Sequence, residues 1–339
     1  MSRYISRSLL LLTFSVVICC GIYPLVLWAI GQTVFPFQAN GSILSGPDGK
    51  PVGSLQIAQP FTKDEYFQPR PSAASYDSSA SASSTLAASN YALRDRVARV
   101  LGPIVKYKSG PKAGQLVAPD VEAWFQQDSF EGQPHLVAQW ADAHNGLAQG
   151  WVTGDPTHAQ FVTDWAKKHP AELKQFVKDN PGTPQPQASD LAMVFFESFS
   201  KENPGRFPSA VSHQAPDGKT VTAIEPVKDG SDVQSIFFDM WRQDHPTADL
   251  QEVPGDMVTT SGSGLDPHIT LENAEYQLDR VAAKWASDTK QDPAKVRSQI
   301  EDILQAHAWA AFGGLAGEKF VNVLEINLEL RSKFGQPPA

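Results

Sequence analysis

The chain has 339 residues, room for one large domain or two modest ones. Its formal charge is −9 with no basic run, which argues against a nucleic-acid partner. Both cysteines, Cys19 and Cys20, sit in one apolar stretch, so the remainder has neither a disulfide framework nor a Cys-ligated metal site and must rely on an apolar core.

Leu9 to Ile30 is a run of 22 residues without a charge. At 1.5 Å per residue it reaches about 33 Å, enough to cross a hydrocarbon layer of about 30 Å. Arg3 and Arg7 precede it and the next charge is Asp48, so the positive-inside rule puts the N-terminus in the cytoplasm and everything after about Phe35 outside. The run exceeds a usual signal-peptide core and no Ala-x-Ala site closes it. Cys19 follows Ile18, not the small residue that a lipoprotein site needs. A retained single-pass anchor in the cell (inner) membrane is expected. Gly21 and Pro24 within it mark a face that another membrane helix could approach.

Beyond the anchor, Pro47-Asp48-Gly49 predicts a turn, and Val52-Gly53-Ser54-Leu55-Gln56-Ile57 a strand. Ser72 to Ser89 is almost wholly Ser and Ala, a closely packed loop or an extended segment. Ser89-Asn90 then caps a helix carrying Leu93, Val97 and Val100.

The central region repeats a pattern. Phe161, Trp165 and Pro170 fall at offsets 0, +4 and +9; so do Phe195, Phe199, Pro204 and Phe237, Trp241, Pro246. Weaker copies start at Phe125 (with Ser129 and Pro134) and at Leu136 (with Trp140 and Asn145). Residues at i and i+4 share a helix face, and the proline stops the helix one turn later. Each copy predicts a short amphipathic helix, packed into a small bundle with an aromatic core. Further on, Thr270 is an N-cap before Leu271, Ala274, Leu278, Val281, Ala282 and Trp285 on one face. Asp292-Pro293 opens a helix with Val296, Ile300, Ile303 and Leu304, and Asn322 with Glu325 reads as a capping pair opening a last helix.

Four blocks in order carry a resemblance: Phe35-Pro36-Phe37-Gln38-Ala39-Asn40-Gly41-Ser42, Tyr66-Phe67-Gln68-Pro69-Arg70-Pro71-Ser72-Ala73, Thr259 to Ile269 (TTSGSGLDPHI), and Val321-Asn322-Val323-Leu324-Glu325-Ile326-Asn327-Leu328. With the anchor, they resemble the KdpC family, the accessory C subunit of the Kdp potassium-transporting ATPase. Family members usually carry Gly-Gly-Ser-Asn where this chain has Ala82-Ser83-Ser84-Thr85. The expected organisation is a cytoplasmic tip and transmembrane helix over 1–34, a mixed α/β extracytoplasmic domain over 35–100 and 253–339, and a mainly α-helical insertion over 101–252.

The resemblance implies a complex with a channel-like potassium-binding subunit, a P-type ATPase subunit and a small membrane subunit, in contact with the lipid bilayer. It implies an accessory role: stabilising assembly and raising the ATP affinity of the ATPase subunit. ATP and potassium would be handled by the complex, with no cofactor held by this chain alone. The topology sets the outer domain apart from cytoplasmic ATP, so no nucleotide-binding residue is assigned. The surface expected to dock comprises Phe35, Pro36, Gln38, Asn40 and Gly41; Tyr66, Phe67, Arg70, Pro71 and Ser72; Ser261, Gly262, Ser263, Gly264, Asp266, Pro267 and His268; and Asn322, Glu325 and Asn327.

Direct chemistry finds little support in the residues. Ser261, Ser263, Asp266 and His268 lie too close on one turn for the usual convergence of a triad, and no Gly-x-Ser-x-Gly elbow occurs. Gly262-Ser263-Gly264 lacks the Lys-Ser/Thr ending of a phosphate-binding loop. The central histidines lack His-x-x-x-His spacing, while His144, His169 and His245 stand at predicted helix ends, where imidazoles meet free carbonyls. An Asp-Lys-Thr-Gly phosphorylation sequence and a Thr-Val-Gly-Tyr-Gly filter are absent, so the chain is not expected to be an enzyme or a channel by itself. The alternatives are a membrane-anchored extracytoplasmic polypeptide-binding or chaperone protein whose aromatic repeats grip a chain, and an anchored hydrolase.

Overall fold

The computed structural model describes residues 2–46, 49–214, 220–315 and 317–335. The turn expected at Pro47-Asp48 falls outside them. The chain forms two compact units: one built from residues up to Thr85 and from Pro254 onward, the other from Leu86–Val253.

The first unit begins with α1 (Ser2–Val16), a π-helical turn (Val17–Ile22) and α2 (Tyr23–Val34), together one helix long and apolar enough to cross a membrane. Pro24 explains the π turn. It has no N–H and its ring would strike the carbonyl of Cys20, so the ladder widens and Tyr23 N–H reaches Ile18 O. At Phe35 the chain turns sharply into α3 (Pro36–Ala39). Gln32 and Asn40 exchange side-chain hydrogen bonds (3.3 and 3.4 Å) across this elbow. Then β1 (Ile43–Ser45) pairs antiparallel with β2 (Pro51–Ser54). The strand expected through Ile57 stops at Ser54. Its hydroxyl donates to Gly41 O (2.6 Å) and accepts from Gln56 N–H (3.0 Å), which turns the chain out of the ladder.

The second unit comprises α4 (Tyr91–Ile104), α5 (Ala118–Phe125), a minimal hairpin of β3 (Ser129–Phe130) and β4 (Gln133–Pro134), α6 (Leu136–Ala143), α7 (Asn145–Gly154), α8 (Pro156–Lys168), α9 (Pro170–Asp179), α10 (Ala192–Glu202), an antiparallel ribbon of β5 (Phe207–Gln214) and β6 (Thr220–Val227), and α11 (Ser231–Asp244). Asn90 caps α4 by accepting from Ala92 N–H. Phe125, Trp140, Phe195, Phe196, Phe207, Phe237 and Trp241 form the core with edge-to-face ring contacts. Most of the repeat aromatics are thus interior residues, with Phe161 half-buried at the edge of that core. The copy starting at Phe125 is not a repeat: α5 ends there, and Ser129 and Pro134 lie in the hairpin.

The helix ends obey one rule. At His144, His169 and His245, the imidazole Nδ1 donates to the carbonyl of the tryptophan four residues earlier (3.1, 2.8 and 2.9 Å) and the ring lies nearly parallel to that indole. Asn180 and Asn203 do the same with Nδ2 to Phe176 O and Phe199 O. These five C-caps have φ between −119° and −131°, suited to the proline that follows four of them. Pro170 does more than stop a helix; it also opens α9. His169 additionally donates from Nε2 to Glu202 (2.8 Å), so both ring nitrogens carry protons.

The chain returns to the first unit with α12 (Gly255–Val258), β7 (His268–Thr270), α13 (Leu271–Thr289), α14 (Pro293–His307), β8 (Trp309–Ala310), β9 (Lys319–Asn322) and α15 (Val323–Phe334). Strands order β7-β9-β8, all antiparallel. Thr270, Asp292 and Asn322 are side-chain N-caps, as expected. Leu278, Val281, Trp285, Ile300, Leu304 and Ile326 are buried in the core between these helices.

Two outcomes follow from the central unit. A Cβ at Gly102 on α4 would lie 2.0 Å from the Gln234 carbonyl oxygen on α11, so Gly102→Ala should destabilise the unit by about 1–3 kcal/mol, measured by urea unfolding followed through tryptophan fluorescence. Burial lowers the His169 pKa, but its bonds to the Trp165 carbonyl and Glu202, with the charges of Glu202 and Glu172, outweigh this and raise it above the ordinary imidazole value. The stabilisation is therefore full below about pH 6.5 and fades as pH rises through the folded value. His169→Asn, which keeps the carbonyl cap, should melt lower than the parent at pH 5.5 and converge with it at about pH 8.

Candidate functional site

Three of the four motif blocks meet within the first unit, and the first, Phe35 to Ser42, is tied to Ser54 and Leu55 beside them. From Asp64 to Gln68 the main chain leaves a turn closed by Tyr66 N–H to Lys63 O (3.2 Å) and has no strand partner, so side chains take up its carbonyls. Arg280 donates to Asp64 O (2.7 Å) and Tyr66 O (3.1 Å), and Trp285 Nε1 to Glu65 O (2.8 Å). Asn327 accepts from Phe67 N–H and donates to Phe67 O, both at 2.9 Å. Gln277 treats Gln68 in the same way, at 2.8 and 3.1 Å. Asn273 accepts from Gln277 Nε2 (2.8 Å), and Arg280 donates to Gln277 Oε1 (2.8 Å). Burial pulls the Arg280 guanidinium below its ordinary pKa against the attraction of Asp64 and Glu65.

Next along the chain, residues 70–84 lace to 260–265. Ser261 N–H donates to Pro71 O (3.3 Å), Ser72 Oγ to Gly264 O (2.6 Å), and Ala82 N–H to Ser263 O (3.0 Å). Gly264 has φ +72°, and a Cβ there would lie 2.8 Å from Ala82 O, so this position requires glycine. In the Ser/Ala stretch, Thr85 itself takes a positive φ of 50°. Ala58 N–H donates to Leu265 O (2.9 Å), Val323 N–H to Pro267 O (3.0 Å), and Asn322 Nδ2 to Leu55 O (2.9 Å).

The expected docking residues divide in two. Phe67, Ser261, Gly264, Pro267, Asn322 and Asn327 are buried, and Gly41, Tyr66, Pro71 and Ser72 are half-buried. Phe35, Pro36, Gln38, Asn40, Gly262, Ser263 and Glu325 are exposed. Between these groups lies a half-buried latch of Arg70, Asp266 and His268. Asp266 Oδ1 accepts from the main chain and Nδ1 of His268 (both 3.1 Å), and Oδ2 stands 3.6 Å from Arg70. The His268 ring meets Trp309 edge-on at 5.7 Å. Burial pushes the Asp266 carboxyl up, but the hydrogen bonds from His268, and the charges of His268 and Arg70, hold it below the usual carboxylate range.

A carboxylate–imidazole pair thus exists, but neither Ser261 nor Ser263 bonds to His268 among the described residues; Ser263 Oγ accepts instead from Leu265 N–H. The loop's carbonyls hold Ser72, Ser81 and Ala82, and its Gly264 N–H is spent on Ser261 O, so the Gly-Ser-Gly run is built as a strap. Among the described residues no group of three or more His, Cys, Asp or Glu gathers to hold a metal. Sequence reasoning overlooked Gln277 and Arg280. The signal was available: Asn273, Gln277 and Arg280 set polar groups at i, i+4 and i+7 beside the apolar face of α13, and Asn273 and Gln277 are buried.

The family profile described as KdpC: K+-transporting ATPase, c chain, matches residues 5–121 and 228–332. A protein of Parvibaculum lavamentivorans named potassium-transporting ATPase KdpC subunit is 32% identical over 145 residues, covering 43% of this chain and 77% of that one. The Pseudomonas aeruginosa protein of the same name is 52% identical over 77 residues, covering 23% of this chain and 42% of its own length. The Clostridium kluyveri protein of that name is 23% identical over 326 residues, covering 96% of this chain and 92% of its own. The match to most relatives of higher identity thus spans about half their length.

Asn327→Ala would strand a buried donor and acceptor on Phe67 together. It should cost about 2–4 kcal/mol in urea unfolding followed by tryptophan fluorescence. Asp266 is held ionised by the fold, so its contribution is present above the unfolded carboxyl value near 3.9 and disappears as pH falls through the lower folded value. The melting-temperature gap between the parent and Asp266→Asn should be open at about pH 6 and closed at about pH 2.

Proposed function

The chain belongs to the KdpC family, the c chain of the K+-transporting ATPase, and from that premise we propose that it is a non-catalytic accessory subunit of a high-affinity, ATP-driven potassium uptake complex. Its partners are a channel-like potassium-binding subunit, a P-type ATPase subunit and a small membrane subunit. The observation that carries this reading is the convergence of three of the four family motifs into one hydrogen-bonded body that follows a helix long and apolar enough to cross a membrane. An anchor keeps such a body at high local concentration beside membrane partners.

The N-terminus lies in the cytoplasm and the two folded units outside, as the arginines before the span favour. Any gain in ATP affinity is then relayed through the partners, and potassium and ATP are handled by the complex. The docking surface is the exposed tip Gly262-Ser263 with the Arg70–Asp266–His268 latch behind it. The buried motif residues hold that tip in place. A preset loop loses little entropy on docking, which favours affinity.

Affinity purification of the tagged chain in mild detergent from potassium-starved cells should bring down a P-type ATPase and a multi-span channel-like protein, with potassium-stimulated ATP hydrolysis in the eluate. Asp266→Ala and His268→Ala should weaken that recovery by about tenfold, equivalent to about 1.4 kcal/mol, while the ATP chemistry of the remaining subunits is unaltered. Undiminished recovery would remove the docking assignment; a chain that elutes alone would remove the accessory reading itself.

A further inference from the structure

One cleft of 440 Å³ opens in the second unit, between α4, α7, the start of α8 and α11, within the size range of small-molecule sites. Its apolar lining comes from Trp140, Leu147, Trp151 and Ile236. The polar lining carries both signs: Arg99 stands in it with Asp155 and Asp232. Neither Arg99 nor Asp232 makes a side-chain hydrogen bond or ion pair with any described residue. One oxygen of Asp155 caps α8 by accepting from Thr157 N–H (2.7 Å). His158 is stacked on Trp151 with 4.0 Å between ring centroids and spends Nδ1 on the Trp151 carbonyl, leaving only Nε2 for a ligand.

Glycine forms the remaining wall. Gly150 lies inside α7, where it costs about 1 kcal/mol relative to alanine, and Gly154 ends that helix. Neither has a positive φ, and nothing stands within 4 Å of a Cβ built on either. Backbone shape and packing within the chain therefore do not call for glycine there. Side chains at these positions would instead occupy the cleft.

We propose that this cleft binds a small zwitterion: a compact molecule whose ammonium group sits between Asp155 and Asp232 while its anionic group pairs with Arg99. A simple cation would be opposed by Arg99, and a simple anion by two carboxylates. A molecule bearing both charges satisfies the three groups at once, and its methylene or methyl groups meet the indole and aliphatic floor. This chemistry belongs to free amino acids and their N-methylated forms, and equally to a phosphocholine headgroup. It is independent of the transport reading.

The test is calorimetric titration of the full chain in dodecyl maltoside, a detergent without charges, with glycine betaine and with glycerophosphocholine as separate probes. Saturable binding of either is expected. It should weaken about tenfold or more in Arg99→Ala and in Asp232→Asn, and be abolished in Gly150→Leu, whose side chain fills the cleft. The tighter probe identifies the source, a free amino-acid derivative or a lipid headgroup. Thermal melts of the same samples show that the variants, all at exposed positions, are folded. Absence of saturable heat from both probes, or equal binding by parent and all three folded variants, would overturn the proposal.

Discussion

Side chains, not strands, complete the hydrogen bonding of Asp64 to Gln68, and the first unit depends on that substitution. Each carbonyl of this stretch is met by Arg280, Trp285, Asn327 or Gln277. Without such partners the buried main-chain groups of this strandless stretch would go unpaired. The clamp joins positions 260 residues apart, so the part of the unit before the central region is finished only by the part after it. Joining distant segments is tolerable because closure entropy grows only with the logarithm of loop length, about 0.6 kcal/mol per doubling. The second unit closes on itself in a similar way: Gln251 N–H meets Lys106 O and Tyr107 pairs with Leu250.

Much of the fold was legible because its signals are local. Asn90, Thr270, Asp292 and Asn322 each announce a helix by a side chain that bonds to an amide two or three residues on. The aromatics four apart announce buried helix faces for the same reason. What escaped was long-range or compensated. Gln277 reads as a routine helix residue until Gln68, 209 positions away, is beside it. The β5–β6 ribbon was missed amid helices because Pro208 and Pro226 sit opposite one another in it and weaken the strand signal. The strand from Val52 was expected to run on because nothing in its own sequence tells that Ser54 will turn back to Gly41.

The motif residues themselves teach a similar distinction. A sequence shows that Phe67, Ser261, Gly264, Asn322 and Asn327 belong together but not that they face inward. Most of them are architecture: amides that replace a ladder, a hydroxyl or glycine that permits two loops to touch. What reaches solvent is the first block, Phe35 to Asn40, together with Gly262, Ser263 and Glu325, and in part Asp266 and His268. Residues 64–68 are held by side chains of α13 and α15, and residues 70–84 by the 260–265 loop.

The recurring C-cap of the central unit has a different import. Helices α6 and α7, and α8 and α9, are joined through single residues, His144 and His169, each of which finishes one helix with its own ring and hands the chain to the next. Because the donor and the carbonyl it satisfies lie only four residues apart, every such corner is self-sufficient. A segment assembled from self-sufficient corners is a vocabulary of whole helices: one can be gained or dropped as a unit without leaving an open carbonyl behind.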